Sequence, residues 1–265
     1  MAIPGGSSVT QVINTASAPG LSRRLAWEAA EIVAIREETP RVKTLSLAVV
    51  GWGGHKAGQH VDVRLTAEDG YQAQRSYSIA SPPEALHVEL TVETIEDGEV
   101  SPYLTGDARI GDKFEVRGPI GGYFVWSAAM ASPLVLIAGG SGVAPFMSML
   151  RHRAAAGHGH PAVLVYSSRG FEHIIYRDEL DRLRRADASL RVVHTLTRAQ
   201  PSGWSGYRRR IDGAMLAEIG IPLLADANVF ICGPTGMVEG AAQALIGLGL
   251  DAERIKTERF GPSGG

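Results

Sequence analysis

A glycine-rich turn is the stretch of this sequence best suited to hold an anion. It spans residues 139–145, follows the apolar run 134–138 and precedes residues 146–150, which predict a helix. Glycines let a backbone turn tightly and approach a ligand, and the free N–H groups at a helix N-terminus face its phosphates. The turn reads Gly-x-Gly-x-x-Pro, whereas the dinucleotide fingerprint is Gly-x-Gly-x-x-Gly. Alone, it therefore predicts either a pyrophosphate cradle or an ordinary loop.

The first half of the chain contains a second polar group, Arg75-Ser76-Tyr77-Ser78. An arginine fork can clamp a phosphate, and a neighbouring aromatic ring can cover a planar ligand. Taken alone, the four residues fit an ordinary strand with an exposed arginine better. Residues 98–104 predict a turn into a short helix, with Ser101 as its N-cap and Pro102 as its first residue. This helix start is a second candidate anion site.

Cys232 is the only cysteine in the sequence, and it lies in Cys-Gly-Pro at the end of the apolar strand 228–232. A lone cysteine at a strand end is usually a small core residue. However, the carboxyl ends of strands in an open α/β sheet are where such sheets bind ligands. We favour a role for Cys232 in packing against a ligand, and this role does not require a nucleophile.

Composition limits the classes to which the protein can belong. A length of 265 residues suits two domains, and a net charge of −2 argues against a nucleic-acid-binding protein. One cysteine excludes an intrachain disulfide and a four-cysteine iron–sulfur site. No apolar run is long enough to span a membrane. Residues 1–24 lack a signal pattern, so we expect a flexible N-terminal arm and a cytoplasmic location.

Two different patterns of apolar and polar residues along the chain predict two domains. Residues 27–125 alternate apolar and polar positions in short stretches separated by turns, which is typical of a β barrel or sandwich. After residue 133, apolar strands alternate with helical stretches, which predicts a parallel α/β sheet. Tyr176, Leu180 and Leu183 have the spacing of one face of an amphipathic helix. We place the boundary near residues 126–132, giving domains 25–128 and 129–265.

Six motifs in a fixed order carry a family resemblance. They are Arg-x-Tyr-Ser, Gly-x-x-Ser, Gly-Pro-x-Gly, Gly-Gly-x-Gly-x-x-Pro, Cys-Gly-Pro and a near-terminal Glu-Arg-Phe. Together they resemble the ferredoxin–NADP reductase family of flavoproteins over residues 27–261. The resemblance implies a six-stranded antiparallel barrel that binds FAD, followed by a five-stranded parallel sheet that binds NAD(P)H. It also implies hydride transfer from the nicotinamide cofactor to the flavin, without a fused iron–sulfur domain.

The resemblance also implies roles for residues on the FAD side. Arg75 would contact the flavin pyrophosphate, Tyr77 would stack on the isoalloxazine, and Ser78 would lie near flavin N5. The other FAD contacts that it implies, several through backbone groups, are Ser76, Leu90, Thr91, Val92, Gly98, Val100 and Ser101.

On the nicotinamide side, the resemblance implies that the glycine turn holds the cofactor's pyrophosphate. The turn residues concerned are Gly140, Ser141, Gly142 and Pro145. Cys232, Gly233 and Pro234 would lie beside the nicotinamide. Glu258 and Phe260 would close the site, with Phe260 covering the flavin and the tail after it lying over the flavin. The residues given catalytic roles are Ser78, Cys232, Glu258 and Phe260.

Arginines after successive strands favour NADPH over NADH. The strand that ends near Tyr166 is followed by Ser168 and Arg169, and Arg198 and Arg210 come later. Arginine forks suit a 2′-phosphate, whereas an NAD site commonly offers an acidic residue there. The resemblance matches these arginines to positions that meet the phosphate, and Tyr176 could stack on the adenine. The alternative is a solvated basic rim, with NADH as a possible cofactor.

The electron acceptor is left open by the residues. The family resemblance makes ferredoxin, flavodoxin or another redox protein the first choice, docked to a basic face near the flavin. A partner oxygenase, a molybdenum enzyme or free flavin are alternatives, and so is a non-catalytic flavin-binding sensor or subunit. We expect a monomer that binds no metal and no nucleic acid.

Overall fold

The computed structural model describes residues 25–157, 159–224 and 226–261. The predicted N-terminal arm 1–24 and tail residues 262–265 lie outside the described residues. Within them, the chain forms a six-stranded antiparallel sheet followed by a five-stranded parallel sheet. The predicted fold class is therefore confirmed.

The first sheet is built from strands whose apolar residues alternate with polar ones. Its members are β1 (Glu28–Thr39), β2 (Val42–Val49), β3 (His60–Thr66), β4 (Gln72–Ser78), β5 (Val88–Glu93) and β6 (Lys113–Ile120), in the order β4-β3-β6-β1-β2-β5. Side chains such as Leu45, Val61 and Leu90 are fully buried in one core cluster. A bridge between Ile79 and Leu90 brings the two ends of the sheet together, which curls it towards a closed barrel.

The second sheet has strands that are apolar on both faces, as expected for parallel strands covered by helices. Its elements are β7 (Leu134–Gly139), α1 (Ala144–Ala155), β8 (Ala162–Ser168), α2 (Arg177–Ala186), β9 (Leu190–Leu196), α3 (Gly213–Glu218), β10 (Asn228–Pro234), α4 (Thr235–Gly247) and β11 (Ile255–Phe260). The strand order is β11-β10-β7-β8-β9. Helices α1 and α2 contribute to the core on one face, and α3 and α4 contribute to the core on the other.

The barrel and the second sheet share a continuous apolar contact. The core under α1 includes Phe146 and Met149 of the second half, together with Ala80, Phe124 and Trp126 from the end of the barrel half. Phe124 meets Phe230 of β10 edge-on, with ring centroids 5.2 Å apart. Burial of aromatic side chains across this junction stabilises one arrangement of the two halves. Any ligand held between them therefore meets a preformed cleft.

Two predicted helix starts need correction. Helix α2 begins at Arg177, and Tyr176 precedes it in the left-handed conformation, with φ of +59°. Ser101 does not cap the short helix near residue 103. Its Oγ instead accepts the backbone N–H of Ile95 at 3.0 Å, which closes the turn before the five-residue π-helical segment Tyr103–Asp107. Tyr176 bonds to the barrel half and Ser101 to a backbone group six residues earlier, and the helix pattern reveals neither partner.

Candidate functional site

A cleft of about 560 Å³ lies along the carboxyl ends of β7, β8 and β10. Open α/β sheets bind ligands at this edge. The opposite wall comes from the barrel, through the turn between β1 and β2 and the end of β5. The lining includes Thr39, Arg41, Val42, Glu93, Gly139, Gly140, Ser141, Ser168, Arg169, Thr197, Arg198, Arg210, Pro234, Met237 and Phe260. The cleft is thus shared by both halves of the chain.

The glycine turn forms the floor of this cleft. β7 ends at Gly139, a 3₁₀ turn covers Gly140–Val143, and α1 follows directly. Gly140 has φ of +54°, a conformation that glycine adopts without strain. A Cβ on Gly142 would lie 2.3 Å from the carbonyl oxygen of Cys232, so only glycine fits there. Pro145 lies in the first turn of α1, where no N–H is needed. This geometry suits a pyrophosphate cradle.

One cradle residue is held from the barrel side. The Ser141 hydroxyl donates a 2.8 Å hydrogen bond to Oε2 of Glu93, the last residue of β5. Glu93 also lines the cleft. The sequence reasoning missed Glu93, although the polar residues at alternate positions of β5 were a usable signal.

The end of the cleft lined by Pro234 and Phe260, called the enclosed end, adjoins two buried or half-buried side chains with raised pKa values. Cys232 is buried and lies beside Glu258 in the parallel register of β10 and β11. Burial, and then the charge of Glu258, raise the pKa of the Cys232 thiol well above its usual value, so it stays uncharged. Burial also raises the pKa of Glu258 to about 7. Phe260 ends β11 opposite Pro234 and lines the same cleft.

The other end of the cleft is basic. Arg169 follows β8, Arg198 follows β9, and Arg210 precedes α3, and all three line the cleft. The two loops are tied together, because the Arg198 N–H donates to the Arg169 carbonyl at 2.9 Å. Ser168 is buried at the base of these loops. The structure therefore brings together the arginines that the sequence predicts for a 2′-phosphate, although which phosphate they bind stays a prediction.

The predicted FAD residues lie on β4, a terminal strand in the sheet order. Arg75 is about half exposed and forms a long ion pair with Glu99, at 3.6 Å. Tyr77 packs partly against the barrel core, and burial raises its pKa. The Ser76 hydroxyl donates to Asp62 at 2.6 Å. Ser78 ends the strand beside His60. Arg75 and Tyr77 share one face of β4, which fits the phosphate and ring contacts expected for FAD.

The turn at residues 98–101 is held in shape by a bond between the Ser101 side chain and the Ile95 backbone. Val100 is fully buried, and the Ser101 hydroxyl is enclosed in its bond to the Ile95 N–H. A Cβ on Gly98 would lie 3.0 Å from the Ile95 carbonyl oxygen. The Ser101 hydroxyl accepts the Ile95 N–H and keeps its own proton to donate, so its contact with the diphosphate stays a prediction.

The side chains of residues 90–92 on β5 are all buried within the protein. Leu90 and Val92 point into the barrel core, and Thr91 is buried on the opposite face. A flavin along this strand would therefore meet backbone groups, as the family resemblance implies.

The predicted adenine contact of Tyr176 is wrong. Its side chain is only 3% exposed. Its hydroxyl accepts a 3.3 Å hydrogen bond from Thr44 and is also bonded to Thr91, both in the barrel. Burial raises its pKa to about 12. Because the ring is enclosed between the two halves of the chain, no face of it is free for an adenine.

The described residues offer neither a cluster of metal ligands nor a membrane-spanning helix. Among residues 25–157, 159–224 and 226–261, no group of three or more His, Cys, Asp or Glu side chains could hold a metal ion. In the same part of the chain, no helix is long and apolar enough to cross a membrane.

Family models match both halves of the chain. A model described as an oxidoreductase FAD-binding domain matches residues 40–125, and one described as an oxidoreductase NAD-binding domain matches residues 136–243. The first match covers β2 to β6 of the first sheet, and the second covers most of the second sheet up to α4. The chain is therefore an FAD- and NAD(P)-binding oxidoreductase.

Relatives of two kinds match in sequence. Ferredoxin–NADP reductase B from Sorangium cellulosum is 34% identical over 240 residues, which cover 87% of this chain and 96% of that protein. The glycine betaine monooxygenase reductase subunit from Chromohalobacter salexigens is 32% identical over 209 residues, covering 78% of this chain and 56% of that protein. This chain thus spans little more than half of the length of the latter relative.

Solved structures share the fold. A ferredoxin NADP⁺ reductase from Neisseria gonorrhoeae, with bound FAD and NADP, superposes with a TM-score of 0.74 at 23% identity, covering 88% of this chain and 98% of that chain. The FAD/NAD-binding domain of a nitric oxide dioxygenase from Vibrio cholerae gives a TM-score of 0.79 at 22% identity, covering 89% of this chain and 99% of that one.

Proposed function

Because the chain belongs to the ferredoxin–NADP reductase family, we propose that it oxidises NADPH and delivers the electrons to a separate redox protein such as a ferredoxin or a flavodoxin. Family membership makes the chain a reductase that uses a nicotinamide cofactor and FAD. The preference for NADPH and the identity of the acceptor are the proposal. The observation that carries the preference is the basic end of the cleft, where Arg169, Arg198 and Arg210 converge.

On the barrel side, we assign FAD binding to one face of β4. The guanidinium of Arg75 would hold the diphosphate, and the ring of Tyr77 would cover the flavin. Ser78 would offer a hydroxyl beside the reacting position. When bound there, FAD supplies a two-electron acceptor that can release its electrons one at a time. The exposed guanidinium of Arg75, on the same face of β4 as Tyr77, supports this assignment.

On the nicotinamide side, we assign three tasks to three parts of the cleft. The backbone of residues 140–142 would bind the pyrophosphate, and the arginines would bind the 2′-phosphate. Cys232, Glu258 and Phe260 would hold the nicotinamide ring in place and exclude water from it. Reacting atoms must lie about 3–3.5 Å apart for efficient transfer, so this rigid enclosure contributes mainly by positioning.

A second candidate acceptor is the oxygenase component of a two-component system. The glycine betaine monooxygenase reductase subunit and the propane 2-monooxygenase reductase component from Mycolicibacterium goodii are 32% and 29% identical to this chain. Both relatives are longer than the aligned region, which covers 56% and 66% of them. The relative that this chain matches almost end to end is named a ferredoxin–NADP reductase, and for this reason we favour ferredoxin or flavodoxin.

The test has two stages. First, the purified protein loaded with FAD is mixed anaerobically with NADPH, and bleaching of the flavin absorbance is followed. We expect rapid bleaching, and its absence with both NADPH and NADH would favour a non-catalytic flavin-binding protein. Second, cytochrome c reduction is measured with added ferredoxin, added flavodoxin, free FMN or no carrier. We expect the largest stimulation from ferredoxin or flavodoxin.

Two results would overturn the acceptor assignment. Rapid reduction of free FMN with no stimulation by either carrier would identify a flavin reductase. Stimulation only by an oxygenase component would identify the second candidate. The variant Arg208→Ala is a matched control for Arg210→Ala in the cofactor stage, because Arg208 donates to the Trp204 carbonyl on the same loop and does not belong to the proposed 2′-phosphate group.

A further inference from the structure

Side chains on one face of β5 form hydrogen bonds to three separate parts of the nicotinamide half. Along this strand, Leu90 and Val92 point into the barrel core. The alternate residues are Glu89, Thr91 and Glu93, and because strand side chains alternate, all three lie on the opposite face. Each of them bonds to a residue beyond position 140. We call this row of three residues and their partners the β5 seam.

The first bond of the β5 seam is made by Arg151 of α1, whose side chain is 13% exposed. Its guanidinium donates to Glu89 Oε2 at 2.6 Å and to the Ala80 carbonyl at 2.9 Å, both in the barrel half. It also forms a fork with Glu179 of α2, with two N–O distances of 2.7 Å. One arginine therefore joins β5, the segment after Ser78, α1 and α2. Burial disfavours the charged guanidinium, but the bonds and charges of its partners outweigh this and raise its pKa.

The second bond is made by Tyr176, whose hydroxyl is bonded to Thr91 and to Thr44 of β2. The guanidinium carbon of Arg151 lies 5.1 Å from the centre of the Tyr176 ring, so the two contacts are adjacent. Tyr176 is held in the left-handed conformation, with φ of +59°, which costs about 1 kcal/mol or more for a residue that is not glycine. The surrounding contacts compensate for this cost.

The third bond is the one between Glu93 and Ser141 of the pyrophosphate cradle. The cradle lies at the N-terminus of α1, the helix that Arg151 anchors. The segment that follows Ser78 carries the Ala80 carbonyl, and the Ser81 carbonyl accepts a 2.7 Å hydrogen bond from Ser148 of α1. The β5 seam therefore connects the strand ends predicted to bind FAD with the helix start predicted to bind the nicotinamide cofactor.

Helix α1 also contains a buried arginine that makes no such connection. Arg153 is 2% exposed and lies two residues after Arg151. It donates to the His160 carbonyl and to Ser189 Oγ, each at 2.6 Å, and it pairs with Asp187. All of these partners belong to the nicotinamide half. Arg151 and Arg153 are thus matched in residue type and helix but differ in whether they join the two halves.

We propose that the β5 seam sets the position of the nicotinamide half on the barrel, and that Arg151 and Tyr176 are positioning residues for hydride transfer. The inference rests on the proposed function, because it concerns the distance between two bound cofactors. Neither residue needs to touch a cofactor. A misplacement of about 1 Å far from the reacting atoms is enough to reduce a rate by about 100-fold.

The test compares Arg151→Lys and Tyr176→Phe with the control Arg153→Lys. Lysine keeps the positive charge of Arg151 but cannot form the fork, and phenylalanine removes only the hydroxyl. Two quantities are measured on each FAD-loaded protein: the rate of flavin reduction at saturating NADPH, and the dissociation constant of NADP⁺. We expect the seam variants to reduce the rate by about tenfold while changing the dissociation constant by less than about twofold.

Hydrogen–deuterium exchange, measured without any cofactor turnover, provides the independent readout. In the seam variants we expect faster exchange in residues 79–81 and 88–93. In Arg153→Lys we expect faster exchange only in the nicotinamide half and a wild-type reduction rate. Unchanged exchange in both seam variants would overturn the β5 seam, and faster exchange with a wild-type reduction rate would overturn the positioning role. If wild-type protein is not reduced by NADPH or NADH, the proposed function fails. The hydrogen–deuterium exchange result would still test whether the β5 seam joins the two halves.

Discussion

The two ends of the cleft differ in how they control charge. At the basic end, Arg169, Arg198 and Arg210 project from loops and can meet a phosphate with little reorganisation. At the enclosed end, burial keeps Cys232 protonated and raises the pKa of Glu258 to about 7. The first end is suited to recognise a charged ligand and the second to hold a neutral ring. Under the proposed function, we therefore expect cofactor affinity and the rate of flavin reduction to depend on different residues, and mutations to separate them.

The largest expected effect lies at the enclosed end. Replacing Cys232 with alanine should slow flavin reduction by about 100-fold, because the nicotinamide loses packing that fixes its distance from the flavin. Ser78→Ala, on the barrel side, should slow it similarly, because the flavin loses the hydroxyl beside its reacting position. FAD retention should change much less. Stopped-flow absorbance measures the rate, and FAD content after gel filtration provides the control. Wild-type reduction rates in both variants would remove these residues from the mechanism and weaken the contrast between the two ends.

The basic end should respond with a change in cofactor preference. Replacing Arg198 or Arg210 with alanine should raise KM for NADPH by about tenfold, since one charge-assisted phosphate contact is worth roughly 1.4 kcal/mol or more. The parameters for NADH should stay near wild type, and Arg208→Ala should change neither. Steady-state ferricyanide reduction provides the measurement. Comparable catalytic efficiency with NADH and NADPH in the wild-type protein would contradict the assignment of these arginines.

Glu258 should make the stability of the protein depend on pH. Its pKa is raised to about 7 in the folded state from an ordinary value of 4.5, so between these values the folded protein holds a proton that the unfolded chain has released. The free energy of unfolding should therefore fall as pH rises from 4.5 to 7, by about 1 kcal/mol after allowance for partial exposure. Glu258→Gln should lose this slope in thermal unfolding series. Parallel curves for the two proteins would show that Glu258 is ionised throughout.

The smallest effect should come from salt. Raising the ionic strength from 0.05 to about 0.5 M should weaken NADPH binding by about twofold to threefold, because loop arginines are screened by added ions. NADH binding should change less, since NADH lacks the 2′-phosphate. Titration of the cofactors by quenching of protein fluorescence compares them directly. An equal salt effect on both cofactors would indicate that the basic end binds only the shared pyrophosphate.

The sequence was sufficient for the fold and for most of the cleft. Strand alternation and strand–helix alternation are local patterns, so residues such as Leu90 and Ile137 reveal their burial from their neighbours. The order of the motifs then located both cofactor sides, which the family models and the two sheets confirm. Arg169 and Arg198 of the basic end were found because each closely follows a strand of a parallel sheet, and such strands end at one edge. Arg210, at the far end of the loop before α3, was found through the family resemblance.

The contacts between the two halves were not predictable in the same way. The polar face of β5 is equally compatible with water, and nothing near Thr91 in the sequence indicates that its partner is Tyr176, 85 residues away. Tyr176 itself has the spacing of a helix face, although it lies just before the helix and between the halves. The N-cap prediction for Ser101 was wrong for a related reason, because its bond to Ile95 depends on the shape of the whole turn.

The close approach of Gly142 to the Cys232 carbonyl has a consequence for changing the cofactor used by this protein. With no room for a Cβ between them, the cradle and the end of β10 are held close together, and under the proposed function this contact sets the span from pyrophosphate to nicotinamide. That span is chemically identical in NADH and NADPH. A designer who wishes to switch the cofactor should therefore leave both strand ends untouched and rebuild only the loops after β8 and β9, where the two cofactors differ.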